Sequence, residues 1–246
     1  PIPFVTGHSQ DFDASGLSLT DRDLFPVIAM LQKLQHVKSV DLTGNHALTQ
    51  DSIAPLLARL AEGPGSDMLR LSFRSCLSIG QTSVDKLSGL LPTFVSLRQL
   101  DLSQICFSRA NSVTLAQFVA AHPCLAHLNL AGTGFGKLGD RSAFCFSLVA
   151  SSLSLVSLDL SWNTLDKEGL VALGKGLSSS ATLERLFVAG CSAKSPNFRD
   201  QPIEYFLELL AKNQSLRFLD LSMNHIDFRG ALIIEDALDL HEKLRE

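Results

Sequence analysis

The chain has 246 residues, of which 46% are hydrophobic and 19% are charged, and this composition excludes an intrinsically disordered polypeptide. A net charge of −4 with a pI near 6.0 lacks the basic balance of a dedicated nucleic-acid-binding domain. No apolar run approaches the ~18 residues of a membrane-spanning helix, and the first residues lack the features of a signal peptide. We therefore expect no membrane contact and no direct nucleic-acid contact.

The five cysteines are an odd number, and the two nearest in sequence lie 18 residues apart. This spacing excludes a disulfide framework and a zinc site built from Cys-x-x-Cys pairs. Unpaired thiols are typical of a reducing compartment. We therefore expect an intracellular protein, either cytoplasmic or nuclear.

One pattern recurs along the chain: apolar-x-x-apolar-x-apolar-x-x-(Asn/Cys/Thr)-x-apolar. Its copies are 28 to 33 residues apart and begin at Val37, Met68, Leu97, Leu125, Leu155, Leu183 and Leu216. A weaker copy starts at Gly7, with Phe12 at the last core position, Ser15 at the turn and Leu17 after it. A period near 30 residues is the signature of a solenoid in which each unit packs on its neighbours.

Each copy alternates apolar and polar residues with a period of two, which predicts a short, half-buried strand. A helical pattern follows each strand, with apolar residues spaced as Ile53, Leu56, Leu57 and Leu60 are. In chain order the predicted helices are ALTQDSIAPLLARL, TSVDKLSGLL, SVTLAQFVAAH, SAFCFSLVASSL, DKEGLVALGKGL, PIEYFLELLAKN and FRGALIIEDALDLHEKL. Alternating strands and helices form a parallel sheet with the helices outside it. The sequence therefore predicts a curved α/β solenoid with a concave parallel sheet.

The turn position after the predicted strands is held by small polar or thiol side chains: Asn45, Cys76, Thr133 (a looser fit), Asn163, Cys191 and Asn224. This motif resembles the leucine-rich repeat family, specifically its long-repeat class typified by ribonuclease inhibitor, over residues 7–246. The resemblance implies a horseshoe arc of about eight repeats. It also implies that the asparagines form a structural ladder that hydrogen-bonds backbone groups left over by the turn, with the two thiols buried beside them.

We expect a single leucine-rich repeat domain over residues 1–246. It divides into a degenerate repeat at 1–36, seven regular repeats at 37–243 and the start of a further repeat at 244–246. The last segment leads us to expect that the natural chain continues, because a solenoid edge needs a polar cap. Two connections, 62–67 and 192–200, are longer than the period requires, and such insertions are either neutral or bind partners.

The sequence lacks motifs for catalysis or metal binding. The glycine-rich run 132–139 resembles a phosphate loop, but it follows a repeat strand and has none of the companion motifs of kinases or P-loop proteins. G-x-S-x-G and H-E-x-x-H are missing, and the histidines are scattered. We therefore predict a protein that is not an enzyme and uses no cofactor. The sequon at 213–215 matters only in a secreted protein.

Strand alternation identifies the residues on the concave side of the sheet. Their middle column reads Asp41, Ser72, Asp101, Asn129, Asp159, Phe187 and Asp220. Strands lie ~4.8 Å apart, so alternate carboxylates are about 10 Å from each other. The column either keeps a polar face soluble or recognises a basic segment of a partner. Arg70 and Arg74 complicate the second interpretation because they make one strand locally positive.

The C-terminal half of this face becomes apolar in three adjacent repeats, through Trp162, Phe187, Phe218 and Met223, with Arg185 beside them. Exposed aromatic and Arg side chains are enriched at binding hot spots. We therefore predict a non-catalytic interaction module that binds a protein or peptide on its concave face, centred on Trp162, Arg185, Phe187 and Phe218. In the alternative, Trp162 folds over its turn and packs on the neighbouring repeat.

Two other functions stay open. The first is a regulator of an enzyme, either a GTPase activator or a nuclease inhibitor, as the family resemblance implies; a nuclease inhibitor would need a strongly acidic face. The second is a structural arm of a larger cytoskeletal, ciliary or chromatin-associated assembly. In that case the C-terminal edge after Leu238 and Leu240 would carry the contact.

Overall fold

The computed structural model describes residues 10–31, 37–62, 67–76, 89–135, 142–192, 201–241 and 243–244. Eight short strands form one sheet in chain order, and each strand pairs in parallel with the next. They are β1 (Asp11–Asp13), β2 (Ser39–Asp41), β3 (Arg70–Ser72), β4 (Gln99–Asp101), β5 (His127–Asn129), β6 (Ser157–Asp159), β7 (Arg185–Phe187) and β8 (Phe218–Asp220). The predicted parallel α/β solenoid is confirmed.

Helices follow most strands and cover one face of the sheet. Those described are α1 (Asp21–Leu31), α2 (Gln50–Glu62), α3 (Arg109–Ala121), α4 (Ser142–Ala150), α5 (Lys167–Ser179), α6 (Pro202–Leu210) and α7 (Phe228–Leu240), with a 3-10 turn at Leu91–Thr93. The predicted TSVDKLSGLL helix lies outside the described residues up to position 88, as do most residues of the two longer connections. Among the helices that are described, none is long and apolar enough to span a membrane.

The hydrophobic core lies between the sheet and the helices. The middle residue of every strand from β1 to β7 is at most 2% exposed, and so is each apolar residue of α2 that the periodicity selected. Each fully buried Leu, Ile or Phe contributes about 1.5–3 kcal/mol relative to exposure. Leu219 in β8 is only partly buried, because β8 is the last strand in the sheet order. The solenoid core is therefore continuous and thins at this edge.

The first repeat has a different register from the one the sequence predicted. Phe12 pairs with Val40, so it fills the first core position of the strand and not the last. Ala14 fills the last position, and it is buried like Leu42 of the next repeat. Sequence alignment missed this shift of two residues because a small Ala stands where other repeats have a larger apolar side chain. The correction adds Asp13 to the middle column of the concave face.

Each strand ends in a turn that needs a left-handed backbone. The residue at this position has φ between +59° and +76° in every repeat: Gly16, Gly44, Ser75, Gln104, Gly132, Trp162, Gly190 and Met223. Glycine adopts this conformation freely, whereas other residues lose roughly 1–2 kcal/mol. Two large apolar side chains, those of Trp162 and Met223, therefore occupy positions that the backbone disfavours for them.

Candidate functional site

The turn asparagines connect neighbouring repeats. Asn45 accepts a hydrogen bond from the backbone N–H of Leu19 at 2.9 Å, and its Nδ2 donates to the carbonyls of Ala14 and Leu42 at 2.9 and 2.8 Å. The side chain thus joins backbone groups of two repeats that the turn leaves without partners. Equivalent bonds are made by Asn163 and Asn224.

Two thiols take the same position with fewer bonds. Cys76 donates from Sγ to the Leu42 carbonyl at 3.2 Å, and Cys191 donates to the Leu160 carbonyl at 3.0 Å. Burial raises the pKa of Cys76 to about 11 and that of Cys191 to about 12. Both thiols are therefore protonated donors near neutral pH and poor nucleophiles.

A second ladder lies at the opposite end of the strands, where helices lead into the next repeat. Asn213 accepts bonds from the backbone N–H groups of Ser215 and Leu216, at 3.0 and 2.7 Å. His122 and His241 accept the equivalent bonds with Nδ1. Sequence reasoning missed this ladder, although its members stand three residues before repeat starts. Asn213 is fully buried, so the sequon at 213–215 does not present an accessible amide in the folded chain.

The acidic residues of the concave face also stabilise the turns. Asp41, Asp101, Asp159 and Asp220 each accept, through Oδ1, the backbone N–H two residues further on, at 2.8 to 2.9 Å. Asn129 makes the same bond at 3.0 Å without a charge. The sequence predicted that these residues form the middle column of the concave face, but it did not predict that they hydrogen-bond to their own turns. One oxygen of each carboxylate is therefore engaged, and the turn bond does not require the negative charge.

A groove of about 710 Å³ runs along the concave face across β1 to β7. Five aspartates and one arginine line it, namely Asp11, Asp13, Asp41, Asp101, Asp159 and Arg70. Arg70 is paired with Asp11 at 2.6 Å, so the first repeat offsets one of the two positive charges that we expected from Arg70 and Arg74. Both side chains of that pair are more than half exposed, so it contributes at most ~1 kcal/mol. The remaining formal charge of the groove is negative.

Aromatic side chains close the C-terminal end of the groove. Phe187 and Phe218 lie with ring centroids 4.9 Å apart on β7 and β8. The guanidinium of Arg185 lies 5.7 Å from the Phe187 ring and 5.3 Å from the Phe218 ring, within cation–π range. Both Phe side chains are only partly buried. The sheet face here therefore combines two aromatic rings with the positive charge of Arg185, and Asp220 of β8, next to Phe187, adds a negative charge.

Trp162 and Met223 stand on the turns at the carboxyl ends of β6 and β8. They are 58% and 72% exposed. A Cβ atom at Gly190, on the turn between them, would lie 2.7 Å from Cε3 of Trp162. The indole therefore packs against a glycine of the neighbouring repeat and still exposes more than half of its surface. We call Trp162, Arg185, Phe187, Phe218 and Met223 the aromatic patch.

The structure groups the predicted partner-binding residues into two regions. The aromatic patch spans three consecutive repeats, whereas Arg70 and Arg74 lie at least three strands away from it, on or beside β3. The described residues contain no group of three or more His, Cys, Asp or Glu side chains arranged to hold a metal ion. At the C-terminal edge, α7 exposes Phe228 (77%), Leu240 (67%), Leu232 and Leu238.

Comparison with known proteins agrees with this architecture. A family model described as "Leucine Rich repeat" matches residues 151–174 and 212–232. The chain is 29% identical to Tonsoku-like protein of Bos taurus, over 95% of the chain and 17% of that protein. It is 26% identical to ribonuclease inhibitor of Mus musculus, over 93% of the chain and 48% of the inhibitor. The chain thus spans less than half the length of either relative.

A solved structure supports the fold. The chain resembles a chain in the yeast complex of Rad7 and Elc1, with a TM-score of 0.53 at 14% identity, covering 83% of this chain and 50% of that one. Repeat spacing, turn ladder, parallel sheet and relatives lead to one assignment. This chain folds as a leucine-rich repeat solenoid, and its repeats are similar to those of ribonuclease inhibitor.

Proposed function

We propose that the chain is a non-catalytic module that binds a protein partner on its concave face, with the aromatic patch as the anchor. One observation carries the proposal: Trp162 and Met223 are large, exposed apolar side chains at left-handed positions that elsewhere are mostly glycine or small. Burying exposed apolar side chains requires a partner surface, and aromatic and Arg residues dominate such contacts. Leucine-rich repeat proteins as a class mediate protein–protein interaction, and this supports the proposal.

The test compares a patch variant with a matched control. The patch variant carries Trp162→Gly and Phe218→Ser; the control carries Leu153→Ser, which removes an exposed Leu (87%) from the loop between α4 and β6. Both are used as baits in pull-downs from native extract, after circular dichroism shows that they are folded. Partners should be lost from the patch variant and retained by the control. Partners that bind both baits equally would remove the aromatic patch from the interface.

A nuclease-inhibitor role is the second candidate. It is supported by the similarity to ribonuclease inhibitor over 93% of the chain and by the acidic groove, which would attract a cationic enzyme. An RNA-hydrolysis assay with a cationic ribonuclease tests it. Inhibition that weakens with added salt would favour this role, and full activity at a large excess of the chain would reject it.

The structural-arm function rests on a different surface. The exposed apolar side chains of α7 would contact another protein of a larger assembly, while the concave face would be passive. Replacing Phe228 and Leu240 with Ser separates this function from the first proposal, because neither residue lines the groove. Loss of partners only in this variant would favour the edge. For either surface we propose a reducing compartment, since the five cysteines, all within the described residues, form no disulfide.

A further inference from the structure

The groove and the aromatic patch lie end to end on one face, and their chemistry differs. The aromatic patch offers an apolar floor at β7 and β8, and the groove runs from there to β1 with five aspartates and one paired arginine. A bound segment that crosses the strands would meet apolar surface at one end and negative charge along the rest. Charge complementarity therefore selects a segment with an apolar end followed by basic residues.

The spacing of the column carboxylates gives a second constraint. Asp41, Asp101 and Asp159 stand at the same register on β2, β4 and β6. Strands are ~4.8 Å apart, so these carboxylates are about 10 Å from one another. Among the described residues, Oδ2 of Asp41 and Oδ2 of Asp159 accept no hydrogen bond, whereas Oδ2 of Asp101 accepts one from Nδ2 of Asn129 at 3.2 Å.

A polyproline II segment matches this spacing. It has three residues per turn and rises ~3.1 Å per residue, so side chains three positions apart lie on one side and about 9.3 Å apart. Aromatic-lined grooves bind such segments well, because the segment is already extended and loses little entropy on binding. An extended β-type segment instead repeats its side chains every ~6.6 Å, which does not match the carboxylates.

We infer that the concave face binds a proline-rich, extended segment of a partner protein, with basic residues three positions apart on the carboxylates and an apolar end on the aromatic patch. The inference rests on the proposed function and adds the chemistry of the occupant. The guanidinium of Arg185 already lies over both Phe rings and would repel a second cation there. The basic residues of the segment therefore belong on the aspartate-lined groove, and its apolar end on the aromatic patch.

The test uses fluorescein-labelled peptides and fluorescence anisotropy. The probe peptide is Leu-Pro-Pro-Lys-Pro-Pro-Lys-Pro-Pro-Lys. Three controls change one property each: Gln replaces every Lys, the three Lys are clustered together, or Gly-Ser replaces each Pro-Pro. We expect the probe to bind about ten-fold more tightly than the Gln peptide at low salt, and to lose this advantage near 1 M salt, where the screening length is ~3 Å. The clustered and Gly-Ser peptides should bind several-fold more weakly than the probe.

The protein variant for this test carries Asp41→Asn and Asp159→Asn. Asn129 shows that an amide at this position makes the same turn bond, so the change removes charge and preserves the fold. Asp101 remains in this variant, so its preference for the probe over the Gln peptide should fall several-fold without vanishing, whereas Leu153→Ser should behave as wild type. Equal binding of probe and Gln peptide to wild type would overturn the inference, as would an undiminished preference in the Asn variant or failure of every peptide to bind.

The same peptides separate this inference from the proposed function. If Phe218→Ser weakens all peptides alike while wild type shows no preference for Lys, the aromatic anchor stands and the charge inference is wrong. If Phe218→Ser leaves binding of the probe unchanged while the Asn variant weakens it, the anchor is wrong and the carboxylates alone carry recognition. If the clustered or Gly-Ser peptide binds as tightly as the probe, the polyproline geometry is wrong.

Discussion

Two single variants, Trp162→Gly and Trp162→Ala, distinguish the cost of the backbone conformation at this position from the contribution of the side chain. Trp162 has φ +61°, at a turn position where four of the eight repeats have glycine. Both substitutions delete the indole, but only glycine is free of the left-handed cost. The difference between the two variants therefore measures the backbone term alone.

The magnitudes follow from the exposure of the side chain. The indole is 58% exposed, so about two fifths of its surface is buried. For an aromatic side chain that buries ~200 Å² when fully covered, this is roughly 80 Å², or about 2 kcal/mol at ~25 cal/mol per Å². Alanine keeps the backbone cost that Trp162 already bears, so we expect the Ala variant to lose about this much stability. The Gly variant is relieved of that cost and should lose ~1 kcal/mol less.

Urea denaturation followed by circular dichroism gives the free energy of unfolding of each variant. The control is the same pair of substitutions at Lys175, an exposed position inside α5, where Ala should be about 1 kcal/mol more stable than Gly. The order of Gly and Ala should therefore reverse between the two sites. An Ala variant at least as stable as the Gly variant at position 162 would refute the left-handed turn as the cause.

Three further predictions concern buried polar groups. Asn163→Ala should lower the free energy of unfolding in urea by about 3 kcal/mol, since it strips several backbone groups of partners, and a loss below ~1 kcal/mol would contradict the ladder. Burial raises the pKa of Glu204 above its ordinary 4.5, so its stabilising contribution is complete below that pH and is lost as the pH rises through the raised pKa. As the pH rises from 4 to 8, the Tm of Glu204→Gln should therefore increase relative to the Tm of wild type. A difference in Tm that stays constant over this range would contradict the prediction. Iodoacetamide at pH 8, followed by mass spectrometry, should label exposed Cys106 and Cys124, and should label Cys191 only after unfolding; native labelling at equal rates would contradict its burial.

Local patterning made the repeat architecture predictable. Each unit contains its own strand, turn and helix within about 30 residues, so the period-two and helical patterns identify elements without knowledge of long-range contacts. The turn position of Asn45 and the outward position of Asp41 followed from the same alignment. Glycine at half of the left-handed positions was a further signal, and it was available in the sequence.

Contacts between repeats were not predictable in this way. Arg70 finds Asp11 across an intervening strand, 59 residues earlier in the chain, and this pairing depends on a register that the weak first repeat concealed. In the ladder that includes His122 and Asn213, different side chains accept the same backbone N–H three residues further on. The sequence therefore shows no single residue type at this position.

The sequence alone determined that this chain is a leucine-rich repeat solenoid and which residues alternate between its core and its concave face, because a repeat encodes its own fold locally. Only the tertiary structure decided that Trp162 packs against Gly190 and remains more than half exposed. It also decided that the aspartates of the middle column accept hydrogen bonds from their own turns and line one negatively charged groove. These properties arise between neighbouring repeats, where side-chain reach and strand register determine which groups meet.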